Sequence, residues 1–425
     1  MGAKANRGQL HADARIAWAQ PWWKRLPKRW GHPWHSMCSY LAMFPPTLPR
    51  YFIEQCSRPG DLVLDPFSGR GTTPLEACLA ERVGIGSDAN PLAALLTAAK
   101  VKPPTLDQAL CRIDDLRKSY SRREVGEVAP KEIQLLFDGR RTLPQLLYVR
   151  QEIDLARKVD RHILASLCGI LHGNHPQDPR DSRTLSISMP NTFSMAPNYI
   201  RNYKRANGLR KYPFDVFDLL ERRLRHLHRA PGPSIDGLAR RMDARKIDRW
   251  IAPGSVSLVV TSPPYLRVVR YGKFNWIRLW LLKQSVQEVD RGLQVEATDR
   301  RLGLTDGLRF PAYCEFLSAT LSACYRVMAP GGVMVLVIGD IESNKGENFN
   351  LAWNTWKEIR GGSKFQLVDL LEDPIDISGK VTRIWGSTRG QATKTDRLLI
   401  LKKPGARRYR AKKPDGVIAA MRAAG

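Results

Sequence analysis

Ser262-Pro263-Pro264-Tyr265 follows directly on the apolar run Leu258-Val259-Val260. A buried strand that ends this way presents a short, rigid loop, because two prolines fix φ and remove two backbone N–H donors. What is left is a hydroxyl, a carbonyl acceptor and an aromatic ring pointed one way. Acceptors for N–H bonds plus a ring for stacking suit a flat base that carries an exocyclic amine. A second cluster, Asp65-Pro66-Phe67-Ser68-Gly69-Arg70-Gly71-Thr72-Thr73, lies where an apolar strand turns into a helix. Glycines there let the backbone approach a ligand closely and adopt positive φ. The loop has neither the Gly-Lys-Ser/Thr of a phosphate-binding loop nor the third glycine of a dinucleotide fingerprint. Asp88, two residues past a second strand, is placed to accept both hydroxyls of a ribose. Alternatively Asp88 or Asn90 caps the helix that starts at Pro91. Asp243, at the end of a third strand, could accept an adenine amino group or stand as an exposed carboxylate in a basic segment.

These groups act together only if their strands end on one edge of a sheet. Apolar patterning predicts strands at 61–64, 83–86, 238–242, 258–260, 333–338, 365–371 and 397–401, and helices at 72–81, 91–100, 274–282 and 311–328. Strands alternating with helices imply a doubly wound, Rossmann-like α/β sheet. Residues 101–235 interrupt the alternation as an inserted, mostly helical basic domain. Its helical stretches fall near 129–136, 143–171 and 214–227, with a polar, basic loop region over 176–213. Between 101 and 242 there are 26 Lys+Arg against 16 Asp+Glu.

Ser-Pro-Pro-Tyr resembles the catalytic loop of the amino-group DNA methyltransferases, and Ser in first place is most like the cytosine-N4 branch. Asp-Pro-Phe-x-Gly-x-Gly-Thr-Thr resembles the S-adenosylmethionine loop of the same family. By that resemblance Asp65 sits near the methionine amino group, Phe67 packs on the cofactor, and Gly69, Gly71 and Thr72 line the cleft. Phe44-Pro45-Pro46, preceded by His35-Ser36-Met37, looks like the family's cofactor-methionine motif, which implicates Phe44 and Pro45. Arg70 departs from the pattern, since a small residue is commoner there; its side chain must point away, or towards solvent or DNA. The resemblance divides the chain into a Trp-rich basic segment (1–34), a cofactor-binding half (35–100), the insert (101–235), a catalytic half (236–402) and a basic tail (403–425). Family members with the cofactor loop first usually put recognition sequence at the C-terminus, whereas here the long block lies between the second and third strands.

Charge agrees with a nucleic-acid partner. The chain has 68 Lys+Arg against 41 Asp+Glu, a net +27, and a field of that size favours a polyanion. Trp18, Trp22, Trp23, Trp30 and Trp34 interleave with Lys24, Arg25, Lys28 and Arg29; such a pattern either grips nucleic acid by stacking and phosphate contact or straps the indoles onto the fold. Arg267 and Arg270-Tyr271-Gly272-Lys273 would form a rim for the DNA backbone or a solvated helix start, and Arg383 and Arg389 lie on a late loop. The seven cysteines contain no Cys-x-x-Cys pair, which supports neither a disulfide framework nor a metal site and suits a reducing, cytoplasmic compartment. No apolar run reaches membrane-spanning length. The resemblance therefore implies a prokaryotic, nucleoid-associated enzyme that uses S-adenosylmethionine on double-stranded DNA, with or without a cognate restriction endonuclease. Adenine-N6 methylation, methylation of RNA guanine-N2 or protein glutamine, and an inactive DNA-binding protein on the same fold are the alternatives. Target sequence and oligomeric state are not legible.

Overall fold

Side chains alternate between the two faces of each strand, and that alternation sets the layers. In the computed structural model, which describes residues 31–40, 45–120, 126–190, 195–264, 271–297, 306–342, 348–374 and 395–406, Leu62, Leu64, Val259, Met334 and Leu336 enter one hydrophobic cluster. Their neighbours Val63, Leu258, Val260, Val333 and Val335 enter another on the opposite face. The strands are β1 (Leu62–Asp65), β2 (Val83–Asp88), β3 (Leu238–Arg241), β4 (Val256–Thr261), β5 (Met328–Gly339), β6 (Gln366–Pro374) and β7 (Thr395–Lys402). They lie in the order β3-β2-β1-β4-β5-β7-β6. The first five pair in parallel. Strand β7 runs antiparallel between β5 and β6. The fold is a doubly wound α/β sheet, as the sequence pattern predicts.

On one face lie α1 (Thr47–Cys56), α2 (Thr72–Leu79) and α3 (Pro91–Val101); on the other lie α13 (Asp306–Val327) and α14 (Leu351–Ile359). The insert supplies α4 (Leu106–Tyr120), α5 (Lys131–Gln134), α6 (Thr142–Glu152), α7 (Lys158–Ile170), α8 (Pro197–Ala206) and α9 (Val216–Leu227). It leaves and rejoins the sheet at one point, where Gly237 N–H donates to the Val101 carbonyl at 2.7 Å. Its buried residues form one continuous cluster with Leu92, Leu95, Leu96 and Ala99 of α3. The insert is thus fused to the sheet's own helix layer.

Several boundaries differ from the pattern, each for a local reason. The periodic stretch 143–171 is two helices broken at 153–157, where Asp154 Oδ1 takes the Ala156 N–H and buried Asp160 takes the Asp154 N–H and Arg112. The helix expected at 274–282 is split into α10 (Tyr271–Phe274) and α11 (Trp276–Leu281). Asn275 causes the split, donating from Nδ2 to the Tyr271 carbonyl at 2.9 Å in competition with the backbone. Next in the chain comes α12 (Val286–Ala297), whose Val289 joins the same buried cluster as the insert. Helix α13 starts ahead of Pro311, which sits inside it. The region read as a polar loop contains α8. Trp34 belongs to the core: it is 1% exposed and is flanked edge-on by His32, His162 and His228. Trp18, Trp22, Trp23, Trp30 and the tail from 407 lie outside the described residues. No helix among the described residues is long and apolar enough to cross a membrane.

Gly169 of α7 packs so tightly on the chain ahead of α1 that a Cβ there would stand 1.8 Å from the Met37 carbonyl oxygen. Gly169→Ala should lower unfolding free energy by about 1–3 kcal/mol in chemical denaturation. Gly139→Ala, with nothing within 4 Å, should not.

Candidate active site

Strands β1, β2 and β4 end side by side, and each delivers a polar group to the same edge. Strand β1 ends in Asp65, β2 in Asp88, and β4 in Thr261 followed by Ser262. This is the carboxyl edge, where open α/β sheets bind ligands.

The glycine loop between β1 and α2 is held by both carboxylates. Gly69 N–H donates to Asp88 Oδ2 at 2.9 Å, and Asn90 N–H donates to Asp88 Oδ1 at 2.9 Å. Asp65 Oδ1 accepts from Phe67 N–H at 3.1 Å and from Thr261 Oγ1 at 2.5 Å. Ser68 N–H donates to the Ser87 carbonyl at 2.9 Å. Gly69 and Gly71 have φ of +50° and +77°, values that a side chain would strain. Gly71 also has no room, since a Cβ would lie 2.9 Å from Thr97 Cα. Helix α3 clamps the loop from below: Thr97 Oγ1 and Ser68 Oγ are 2.9 Å apart, and Lys100 Nζ donates to the Arg70 carbonyl at 2.6 Å.

Arg70 points away from the cleft. Its Nη1 donates to the His35 carbonyl at 2.8 Å, so the side chain serves neither solvent nor DNA. His35 Nε2 in turn lies 2.6 Å from Glu76 Oε1, which ties the segment ahead of α1 to α2. His35 is therefore a structural residue.

Asn90, rather than Asp88, caps α3, accepting the Leu92 N–H at 3.0 Å. Asp88 is left half-buried at the edge. Beside it stands Tyr40, which no sequence motif singled out. Its hydroxyl accepts from Asn90 Nδ2 at 2.9 Å, and its ring stacks on Tyr271 with centroids 5.8 Å apart. A Cβ on Gly69 would meet the Tyr40 ring at 3.5 Å. Tyr40 thus walls the cleft next to Gly69.

Phe67 is half-buried, 5.7 Å from Phe316 between centroids. The Arg245 guanidinium lies 5.7 Å over the same Phe316 ring, and Arg245 pairs with Asp243 through Nη2–Oδ2 at 2.7 Å and Nε–Oδ1 at 3.0 Å. Asp243 also caps the 3₁₀ turn Ala244–Arg249, accepting Arg245 N–H. Burial works to raise its pKa, but the bonds and charge from Arg245 outweigh that and hold the carboxyl below its usual range. Asp243 therefore reaches the edge with its carboxylate already engaged, a limit on the adenine role. Thr72 opens α2 and receives Arg70 Nε at 3.2 Å. Ser262 and Pro264 are half-buried and Pro263 is buried. Pro45 accepts the Leu48 N–H at 3.1 Å. Phe44, Tyr265, Arg267, Arg270, Arg383 and Arg389 lie outside the described residues.

Burial pushes Asp65 up to about 7 against the hydrogen bonds from Thr261 and Phe67. Burial likewise pushes Asp88 up to about 6.

The DNA methylase family, of the N6/N4 type, matches residues 11–98. The match includes the glycine loop and Asp88, so the resemblance read from Asp65–Thr73 is borne out there. No curated protein matches the chain. Among solved structures, a Thermus thermophilus protein described as a DNA modification methylase, in complex with S-adenosyl-L-methionine, is 21% identical, with 40% of this chain and 56% of that one covered and a TM-score of 0.26. TrmN from Thermus thermophilus is 14% identical over 87% of this chain and 52% of its own, with a TM-score of 0.31. A SAM-dependent methyltransferase from Methanosarcina mazei is 9% identical over 86% and 100%, with a TM-score of 0.32. The chain spans about half the length of the Thermus thermophilus methylase that it matches.

The raised Asp65 has a measurable consequence. Its folded pKa of about 7 exceeds the unfolded value of about 4, so the folded state holds a proton that the unfolded state releases. That stability is complete below about pH 4 and is lost as pH rises through about 7. Compared with D65N, the wild-type protein should lose on the order of a few kcal/mol between pH 5 and pH 8. Thermal unfolding of both proteins at the two pH values checks this; parallel curves would refute it.

Proposed function

We propose that this protein transfers a methyl group from S-adenosylmethionine to the exocyclic N4 of a cytosine flipped out of duplex DNA. The observation that carries this reading is the position of Ser262-Pro263-Pro264, which leaves β4 beside the strand ends that hold Asp65 and Asp88.

The residues at the edge fit the cofactor. Asp88 is half-buried and takes only backbone N–H donors among its described bonds, so it retains acceptor capacity for two ribose hydroxyls. Phe67 offers a half-buried ring, and Gly69 keeps the cleft open beside Tyr40. Asp65 underlies the methionine end. Asp243 would accept the adenine amine by exchanging an Arg245 contact. When bound, S-adenosylmethionine supplies an electrophilic methyl on a sulfonium.

Cytosine N4 is a poor nucleophile because its lone pair is delocalised into the ring. Ser262 Oγ and the Pro263 carbonyl accept from the amine and draw that lone pair out of conjugation. Tyr265 stacks on the ring and holds N4 in line with the methyl, so orientation supplies much of the rate. The cofactor, held by Asp65, Phe67, Gly69 and Asp88, would supply the methyl for the new N–CH3 bond and would keep the electrons of the S–CH3 bond on sulfur. The methylated nitrogen, now cationic, releases its proton to solvent or through Ser262. Serine in first place favours cytosine over adenine. A cognate endonuclease and a prokaryotic, nucleoid-associated setting belong to the same reading.

Incubation with duplex DNA and labelled cofactor, followed by digestion to nucleosides, should yield N4-methylcytosine; N6-methyladenine would instead assign the rival base. Ser262→Ala should slow transfer by about 100-fold while cofactor affinity, measured by calorimetry, stays the same. Cofactor affinity should also fall as pH drops through about 6, where Asp88 takes up a proton; a flat profile between pH 5 and 7 would remove Asp88 from the ribose.

A further inference from the structure

One element of the insert carries positive charge with no acidic residue near it in the chain. Six of the insert's arginines are matched by carboxylates: Arg112 by Asp160, Arg117 by Asp218, Arg141 by Asp215, Arg150 by Glu127, Arg180 by Asp178 and Arg225 by Glu221. Helix α8 is different. It carries Arg201, Lys204 and Arg205, and Arg210 and Lys211 follow, while residues 195–214 contain no Asp or Glu. None of the ion pairs among the described residues involves these five cations. The pKa of Lys204 is lowered, by burial first and by the charge of Lys211 second, as expected where like charges crowd without a counter-ion.

Helix α8 is also a surface element with a fixed footing. Ile200 is its buried residue at 1% exposed, and Tyr203 and Leu209 pack partly on the core. Tyr199, 43% exposed, stacks on Tyr203 with centroids 5.8 Å apart and planes 11° apart. A stacked pair of rings beside exposed cations is a surface that can meet both the phosphates and the bases of a nucleic acid.

Its footing leads to the candidate site. Trp276 Nε1 donates to the Met195 carbonyl at 2.8 Å, two residues ahead of α8. Trp276 opens α11, and α10 just before it carries Tyr271, which stacks on Tyr40 beside Asp88. The chain entering α8 is therefore tied, through Met195, to α11, which follows the Ser262 loop.

We propose that α8 is the docking element for duplex DNA flanking the target base, with Arg201, Lys204 and Arg205 on phosphates and Tyr199 against the sugar–base edge. This rests on the proposed DNA methyltransferase activity. Charge complementarity with a polyanion selects the occupant, since residues 195–214 hold no acidic group to attract a cationic partner.

Binding of the full-length protein to a fluorescent duplex oligonucleotide, followed by anisotropy across a salt series, tests it. R201E/R205E should lose about 10-fold or more in affinity, and the slope of log affinity against log salt should fall by about 2, as expected for two lost phosphate contacts. K357E/R360E makes the same charge change on two exposed residues at the C-terminal end of α14 and its cap, on the opposite face of the sheet, and should lose far less. S-adenosylmethionine affinity should be unchanged in both. Equal losses in the two variants would overturn the proposal, as would stronger binding of wild type to an RNA duplex of the same sequence. If wild type methylates DNA and R201E/R205E binds and methylates equally well, α8 is not the docking element and the activity stands. If wild type binds no duplex DNA, both readings fall.

Discussion

The bond from Gly69 N–H to Asp88 is the constraint on which the candidate site depends. It reaches from the first strand–helix turn to the end of the second strand, and it fixes the backbone path of a loop whose glycines occupy the left-handed region. Asp65 repeats the device one strand over by taking the Thr261 hydroxyl, so β4 and the Ser262 loop beyond it are set relative to β1. Both carboxylates pay for this with burial, which raises their pKa values towards neutrality. A buried carboxylate that accepts several N–H or O–H donors is a rigid fixture, and two of them align three strand ends.

Helix α3 transmits that order in the other direction. On one side Thr97 and Lys100 hold the glycine loop. On the other, Leu92, Leu95, Leu96 and Ala99 share a core with the insert. Burying Lys100 carries a desolvation cost that lowers its pKa well below the usual value, and the Arg70 carbonyl offsets part of it. The loop and the insert are therefore built on opposite sides of a single helix.

Much of this was legible in the sequence, because period-2 alternation and strand-end chemistry are local. The strands at 83–86 and 258–260, the glycine loop and Asp88 could all be placed from neighbours within a few residues. What could not be placed depended on distant partners. Nothing near Asp65 points to Thr261, and nothing near Arg70 points to the His35 carbonyl. Trp34 has a basic, aromatic sequence context, yet His162 and His228 from distant parts of the chain pack against it. Asn275 splits a helix through a side-chain bond that apolar spacing does not register. Helix α8 escaped because only Ile200 is buried, so no apolar period marks it; the absence of acidic residues across 195–214 was the signal available. Tyr40 had no motif at all.

The position of β7 between β5 and β6 governs the order in which the sheet can be completed. Among the described residues, strand β6 pairs with the sheet through β7, which lies later in the chain. During synthesis, Val333–Ile338 therefore waits as an open, apolar edge while β6 emerges without a partner. Such edges invite pairing with other chains. The ribosome must deliver residues 395–402 before this sheet is protected, so nascent-chain aggregation and chaperone demand should concentrate in that interval.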